Sequence, residues 1–263
     1  MSLRSLHLFA GAGGGLLADL ILGHDPVCAV EWDPYCCQVL RERAAEGWFP
    51  GLHVFEGDVR LFDPSEYAGR VDIIHAGFPC QDISVAGQQA GVGEGTRSGL
   101  YREILRVADA VRPRFLFLEN VSAILSNGLG AVLGDLAARG YDGRWCCLRA
   151  SDVGANHQRD RWWMLAYSNR FVGVAWDNGG ILPQNNGIER EGIKQKIWGQ
   201  DWKLFEMGKE GNPIFDPQPP SPGTMRMVND VPEAMDRLKA IGNAQVPLQA
   251  ALAFKILMGR FGK

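Results

Sequence analysis

Short, almost wholly apolar runs alternate with amphipathic stretches over residues 3–170, and this alternation constrains the fold more than any other feature of the chain. The runs fall at residues 6–9, 26–30, 71–75, 115–118, 143–148 and 162–166. Runs with few polar residues on either face suit strands buried on both sides, which is the situation in a parallel sheet covered by helices. Helical stretches start near Gly15, Pro34, Gly99, Ala131 and Pro247. After Gly99, the residues Leu100, Ile104, Leu105, Val107, Ala108 and Val111 form one apolar stripe, and Pro113 ends it. The predicted fold class is α/β: a Rossmann-like, doubly wound mixed sheet with a small irregular insertion.

A chain of 263 residues, 46% hydrophobic and 22% charged, is long enough for one large α/β domain and such an insertion. The character changes after Asn169. Residues 171–227 are rich in Gly, Asn, Gln, Pro and Trp, with weak periodicity, and regular patterning returns from Val231 to Leu257. The expected division is therefore a ligand-binding domain over 1–170, an insertion over 171–227, and a return to the first domain over 228–263. The net charge of −3 excludes a global basic signature, so any nucleic-acid contact must come from a local patch. No apolar run approaches the length of a membrane span and no signal-peptide pattern opens the chain, which predicts a cytoplasmic protein without membrane partners. The six cysteines, at 28, 36, 37, 80, 146 and 147, lack the CxxC spacing of metal or redox sites. They predict reduced thiols and no metal.

Two segments end apolar runs where chemistry is expected. Gly77-Phe78-Pro79-Cys80-Gln81 follows the run at 71–75, and Glu119-Asn120-Val121 follows the run at 115–118. Residues just past the carboxyl ends of strands line the ligand crevice of an open α/β sheet. A thiol and a carboxyl delivered to one crevice make a nucleophile with a partner acid. Upstream, Phe9-Ala10-Gly11-Ala12-Gly13-Gly14-Gly15 joins the first strand to the first helix, and its glycines let the backbone turn tightly and approach a ligand. Glu31 ends the second strand, where an acid can accept from ribose hydroxyls. Trp32 beside it could stack on an adenine ring, and Asp58, at a third strand end, could accept from an adenine amino group. The GxGGG spacing departs from the GxGxxG dinucleotide fingerprint.

With Gly242-Asn243-Ala244-Gln245-Val246-Pro247 before a last apolar helix, these segments resemble, in order, the motifs of the cytosine-5 DNA methyltransferases. The resemblance covers residues 3–168 and 237–258. It implies a class I methyltransferase fold, S-adenosylmethionine as methyl donor, and transfer to carbon 5 of a cytosine flipped out of duplex DNA. It implies Phe9, Gly11, Gly13, Glu31, Trp32, Asp58, Val59, Pro79, Leu100 and Asn243 as donor contacts. Cys80 would be the nucleophile that adds to carbon 6, since cytosine carbon 5 is itself a poor nucleophile. Glu119 would serve cytosine N3, which needs a carboxyl with a raised pKa. Arg159 and Arg161 precede the run at 162–166, and strand alternation would put both on one face, Arg161 towards the base and Glu119, Arg159 towards Cys80 or phosphate. The glycine-rich loop 82–98 would be a lid closing over the extruded base.

Two departures stand out. His157 occupies the place where the family begins this element with Gln, and no RLxGF-type segment precedes Gly242. In the insertion, Lys194, Lys196, Lys203, Trp198 and Trp202 are candidates for major-groove contact. Expected partners are double-stranded DNA and a cognate restriction endonuclease, with a monomer as the default state. Two other readings share the motifs: a tRNA cytosine-5 methyltransferase, whose branch usually carries Pro-Pro-Cys-Gln at residues 78–81, and a non-catalytic DNA-binding homologue.

Overall fold

The computed structural model describes residues 2–78, 99–171 and 245–259. These belong to one unit, Met1–Leu182 with Leu238–Lys263, and a second unit, Pro183–Arg237, lies outside the described residues. Pro79, Cys80, the loop 82–98, Asn243 and the candidate DNA contacts of the insertion also lie outside them.

Seven strands are described: β1 (Arg4–Leu8), β2 (Asp25–Glu31), β3 (His53–Glu56), β4 (Ile73–Gly77), β5 (Phe115–Val121), β6 (Tyr141–Leu148) and β7 (Arg161–Ser168). They form one sheet in the order β3-β2-β1-β4-β5-β7-β6. The first five are parallel, and β7 runs antiparallel to both β5 and β6. The sheet is thus mixed, with the chain starting near its middle and winding outwards in both directions, as expected from the sequence. A parallel pair needs a crossover, and helices supply it. The described helices are α1 (Gly14–Leu22), α2 (Pro34–Ala45), α3 (Gly99–Val111), α4 (Ile124–Asn127), α5 (Leu129–Ala138) and α6 (Pro247–Leu257), of which α1, α2 and α3 lie between parallel strands.

Local chemistry explains where these elements begin and end. Asp33 caps α2, accepting from the backbone N–H of Tyr35 and Cys36, with Pro34 in the first turn. Gly23 ends α1 in the left-handed conformation and its N–H returns to the Asp19 and Leu20 carbonyls. One core joins Leu6, Leu8, Val30, Ile74 and Ala76 of the sheet to Ile104, Val107, Ala108 and Val111 of α3. On the other face Leu16 and Leu40 cluster with Ala29 and Phe49. Trp162 and Trp163 are fully buried in β7, and residues of this size each contribute on the order of 1.5–3 kcal/mol or more by burial. The last helix returns to this sheet: α6 lies against α1, β6 and β7. Its Phe254 meets the rings of Phe117 and His24 edge-on at 5.4 and 5.0 Å.

Three local expectations change. The strand β3 is only four residues long, and the apolar-run pattern does not single it out. Glu119, Asn120 and Val121 are not beyond β5 but its last three residues, paired with Trp163, Trp162 and Arg161. Only Arg161 belongs to β7, so alternation does not place Arg159: that residue precedes the strand in left-handed backbone at φ 34°.

Candidate active site

The carboxyl ends of β1, β2, β4 and β5 carry two groups of polar residues, and in each a carboxylate is held by backbone or side-chain donors. The first group surrounds Glu31, which is 7% exposed. Its Oε2 accepts from the Gly11 N–H at 2.7 Å, and its Oε1 accepts from the N–H groups of Trp32 and Asp33, each at 2.9 Å. A carboxylate offers about four acceptor positions, so Glu31 locks two loops and keeps roughly one position, on Oε2, for an outside donor. The turn after β1 is strained to make this contact. Phe9 and Gly11 both adopt left-handed backbone, at φ 58° and 55°. That conformation is costly for Phe and routine for Gly, and such outliers gather at ligand sites. Beside Gly11 there is free space: a Cβ added there would meet nothing within 4 Å.

Around this turn, Trp32 stands 71% exposed. The Gly57 N–H donates to the Glu31 carbonyl at 2.9 Å, which draws the 57–59 segment to the same edge. Asp58 caps a one-turn 3-10 helix there, accepting from the Arg60 N–H at 2.9 Å and pairing with its guanidinium at 3.3 Å. Val59 is buried, Leu100 packs on the same core, and α3 lies against the 59–61 turn. The expected donor contacts that are described therefore line one edge of the sheet, with Asp58 already engaged by Arg60.

The second group surrounds Glu119. It pairs in register with Gly77 of β4 and is 9% exposed. Arg161 Nε lies 2.8 Å from its Oε1, and Gln245 Nε2 lies 3.5 Å from its Oε2. Burial raises the Glu119 pKa above the ordinary carboxylate value, and the opposing pull of Arg161, Gln245 and Arg159 does not cancel it. A carboxyl in this state can hold a proton nearer neutrality and still be oriented by fixed donors. Asn120 fixes the neighbouring loop. Its Nδ2 donates to the Phe78 carbonyl at 3.0 Å, while its Oδ1 accepts from the Val121 N–H at 2.8 Å. That carbonyl belongs to the residue just before Pro79-Cys80.

Behind Glu119 lies a buried polar row that apolar periodicity does not reveal. His7 of β1 pairs in register with His75 of β4, and their rings stand 4.9 Å apart. His7 Nε2 is 2.7 Å from Asp19 Oδ2, which also accepts from the Ser5 hydroxyl, and His24 Nδ1 is 3.1 Å from Asp19 Oδ1. Burial alone would raise Asp19, but His7 and the hydrogen bonds from His24 and His7 outweigh it and hold the carboxyl well below its usual range. Burial, then the charge of His7, pushes His75 down to about 3. His7, Asp19 and His75 bring ligand-type atoms within 4.8 Å of one another, yet both Asp19 oxygens already accept hydrogen bonds. Gln245, two residues before α6, and Gln249, in its first turn, are two residues to which sequence reasoning gave no role. Gln249 Nε2 donates to the carbonyls of Leu148 and Arg159, at 2.8 and 3.1 Å. Their signal was visible: two amides with helical spacing in a segment otherwise suited to burial.

The sequence profile of the C-5 cytosine-specific DNA methylases matches residues 3–206. Among curated proteins, the Type II methyltransferase M.CviJI of Paramecium bursaria Chlorella virus IL3A is 37% identical over 169 residues, 63% of this chain and 43% of that protein. M.NgoMIV of Neisseria gonorrhoeae is 35% identical, over 65% of this chain and 54% of its own length. The chain thus spans about half the length of the curated relatives it matches. A prophage-encoded DNA modification methyltransferase of E. coli superposes with a TM-score of 0.51 at 27% identity, over 64% of this chain and 47% of that one. The Dnmt2 methyltransferase of S. pombe shares the fold, with a TM-score of 0.52 at 20% identity, over 75% of this chain and 66% of that one.

Proposed function

The chain belongs to the C-5 cytosine-specific DNA methylase family, and on that premise we propose that it transfers a methyl group from S-adenosylmethionine to carbon 5 of cytosine in duplex DNA. The observation that carries this reading is the Glu119 carboxyl, buried, held at one oxygen by Arg161 and at the other by Gln245, at the end of the strand beside the one that leads to Cys80. The turn that opens at Gly11, the remaining acceptor on Glu31 and the exposed face of Trp32 fit an adenosine-bearing donor. Glu31 would hold a ribose hydroxyl, Trp32 would stack on the base, and Phe9, Gly13, Asp58, Val59, Pro79, Leu100 and Asn243 would complete the pocket.

The donor supplies an electrophilic methyl when bound. The protein's work is to make cytosine carbon 5 nucleophilic. Cys80 thiolate adds to carbon 6, Glu119 shares or gives a proton to N3, and carbon 5 takes the methyl. The carbon 5 proton then passes to water, the N3 proton returns to Glu119 and the thiolate departs, which restores the ring. Arg161 orients Glu119 towards the base, and Arg159, whose charge also acts on Glu119, supports the cysteine loop or a phosphate. The ring atoms are unreachable in a stacked duplex, so the base must be extruded. The 82–98 loop is the candidate lid, and the 171–227 insertion is the candidate reader of sequence in the major groove. A cognate restriction endonuclease and a monomeric state belong to the same proposal.

The test combines radiolabelled methyl transfer to mixed-sequence duplex DNA with duplexes carrying 5-fluorocytosine, run on a denaturing gel. Label in DNA is expected, with a covalent protein–DNA band that disappears in Cys80→Ala while donor binding persists. Label in tRNA instead of DNA would move the substrate to RNA. Transfer by Cys80→Ala at a near-native rate would sink the covalent mechanism.

A further inference from the structure

Gln245 occupies a place that three glycines keep open. A Cβ on Gly14 would lie 2.2 Å from the Gln245 carbonyl oxygen, and a Cβ on Gly15 would lie 2.8 Å from Gln245 Oε1. A Cβ on Gly77 would lie 2.8 Å from Gln245 Nε2 and 2.7 Å from Glu119 Oε2. At Gly14 the clash would be with backbone, which cannot give cheaply, whereas at Gly15 and Gly77 the ends of the Gln245 and Glu119 side chains would have to move. Two of these glycines open α1 and the third ends β4. The three therefore shape a slot for one carboxamide as well as a bend in the backbone.

From that slot the two ends of the amide face different neighbours. Nε2 points at Glu119 Oε2. Oε1 lies towards the His pair: the same Gly15 Cβ would stand 2.9 Å from His75 Cε1 and 3.1 Å from His7 Nδ1. The Gln245 side chain also acts on the His75 ring, His75 stacks at a tilt on His7, and His7 is fixed by Asp19. An amide has one donor end and one acceptor end, so with the acceptor end turned towards the His pair the donor end faces the carboxyl.

We infer that Gln245 is a positioning residue for Glu119, holding the carboxyl from a half-buried slot beside the buried row of Asp19, His7 and His75. The inference rests on the reading of Glu119 as the group that serves cytosine N3. Arg161 faces Glu119 from β7 and Arg159 from the preceding loop, while His75, and beyond it His7, Asp19 and His24, lie on the β4, β1 and α1 side. Arg161 secures Oε1 and Arg159 adds to the local charge. Gln245 secures Oε2, and without it the carboxyl could turn about its last bond away from a base.

The experiment uses Gln245→Met, close in volume and without a donor, and Gln245→Glu, equal in shape and without a donor when ionised. The Glu119 carboxyl is titrated by ¹³C NMR of protein labelled at the Glu side-chain carboxyl, with Glu119→Gln assigning the signal, and thermal melting shows which variants fold. Loss of the donor raises the midpoint by on the order of one pH unit in Gln245→Met and more in Gln245→Glu. On duplex DNA, kcat falls about tenfold or more while KM for the methyl donor changes less than about twofold, because a group felt only in the transition state has been misplaced. An unmoved midpoint in either folded variant overturns the inference. A protein inactive on every nucleic acid whose midpoint nevertheless shifts would overturn the proposed reaction and leave the positioning role standing.

Discussion

Three backbone N–H groups, from Gly11, Trp32 and Asp33, converge on the Glu31 carboxylate. Replacing that side chain orphans all three at once, and an unmet buried donor costs on the order of 1–3 kcal/mol. Glu31→Ala is therefore expected to weaken donor binding, measured by titration calorimetry, by at least that amount and also to lower the melting temperature. Glu31→Gln separates the two duties: its oxygen still accepts from one loop, so the protein stays folded, but the second loop loses its acceptor. Unchanged affinity in Glu31→Gln would remove Glu31 from the donor site. The residue itself was legible, since an acid at the end of the second apolar run has few other uses. Its lattice of backbone partners was not, because N–H directions depend on the left-handed turn at Phe9 and Gly11, and a bulky Phe in that conformation has no sequence signature. Asp58 shows the converse: its turn-capping contact with Arg60 is the ordinary fate of an Asp after Gly.

Glycine carries opposite meanings in α1 and α5, and the elements predict opposite effects of the same substitution. Gly14 opens α1 with the Gln245 carbonyl 2.2 Å from where its Cβ would be. Gly134 lies inside α5 with nothing within 4 Å of that position. Gly14→Ala should destabilise by about 1–3 kcal/mol through overpacking, whereas Gly134→Ala should stabilise by roughly 0.5–1 kcal/mol through helix propensity. Urea titrations of the two variants against the parent decide this. A stabilised Gly14→Ala would mean that α6 does not seat on α1 as described. The glycine-rich turn was legible as a turn, but its last two glycines make room for Gln245, more than two hundred residues away in sequence, which no local pattern records. The strands were legible where both faces are buried. β3 escaped because its burial is partial, and Arg159 was misplaced because alternation was extended two residues before the strand begins.

At the scale of the whole molecule, the sheet carries a buried polar row across its middle strands, and this makes stability depend on pH in a calculable direction. His75 is held to about 3 when folded by burial, against an unfolded value near 6.5. Between those limits the unfolded chain binds a proton that the folded one refuses, so stability rises with pH and is lost as pH falls below about 6.5. Asp19 acts in the same sense at lower pH: its carboxyl is held below the ordinary range, so its contribution is present above the unfolded value and lost as pH falls through it. The row was only partly legible: His7 and His75 interrupt apolar runs, but their registry across β1 and β4 comes from the strand order. The integrated contribution of His75 alone between about pH 7 and about pH 5 is ~2 kcal/mol. Denaturant unfolding at those two values should show a loss in the parent, offset in part by Glu119, whose raised pKa favours the folded state as pH falls. His75→Leu, which removes the titrating group from the sheet interior, should shrink the loss by ~2 kcal/mol whatever its effect at neutral pH. An equal loss in parent and variant would mean that His75 takes up its proton in the folded state, and that the row from Asp19 to His75 is open to solvent.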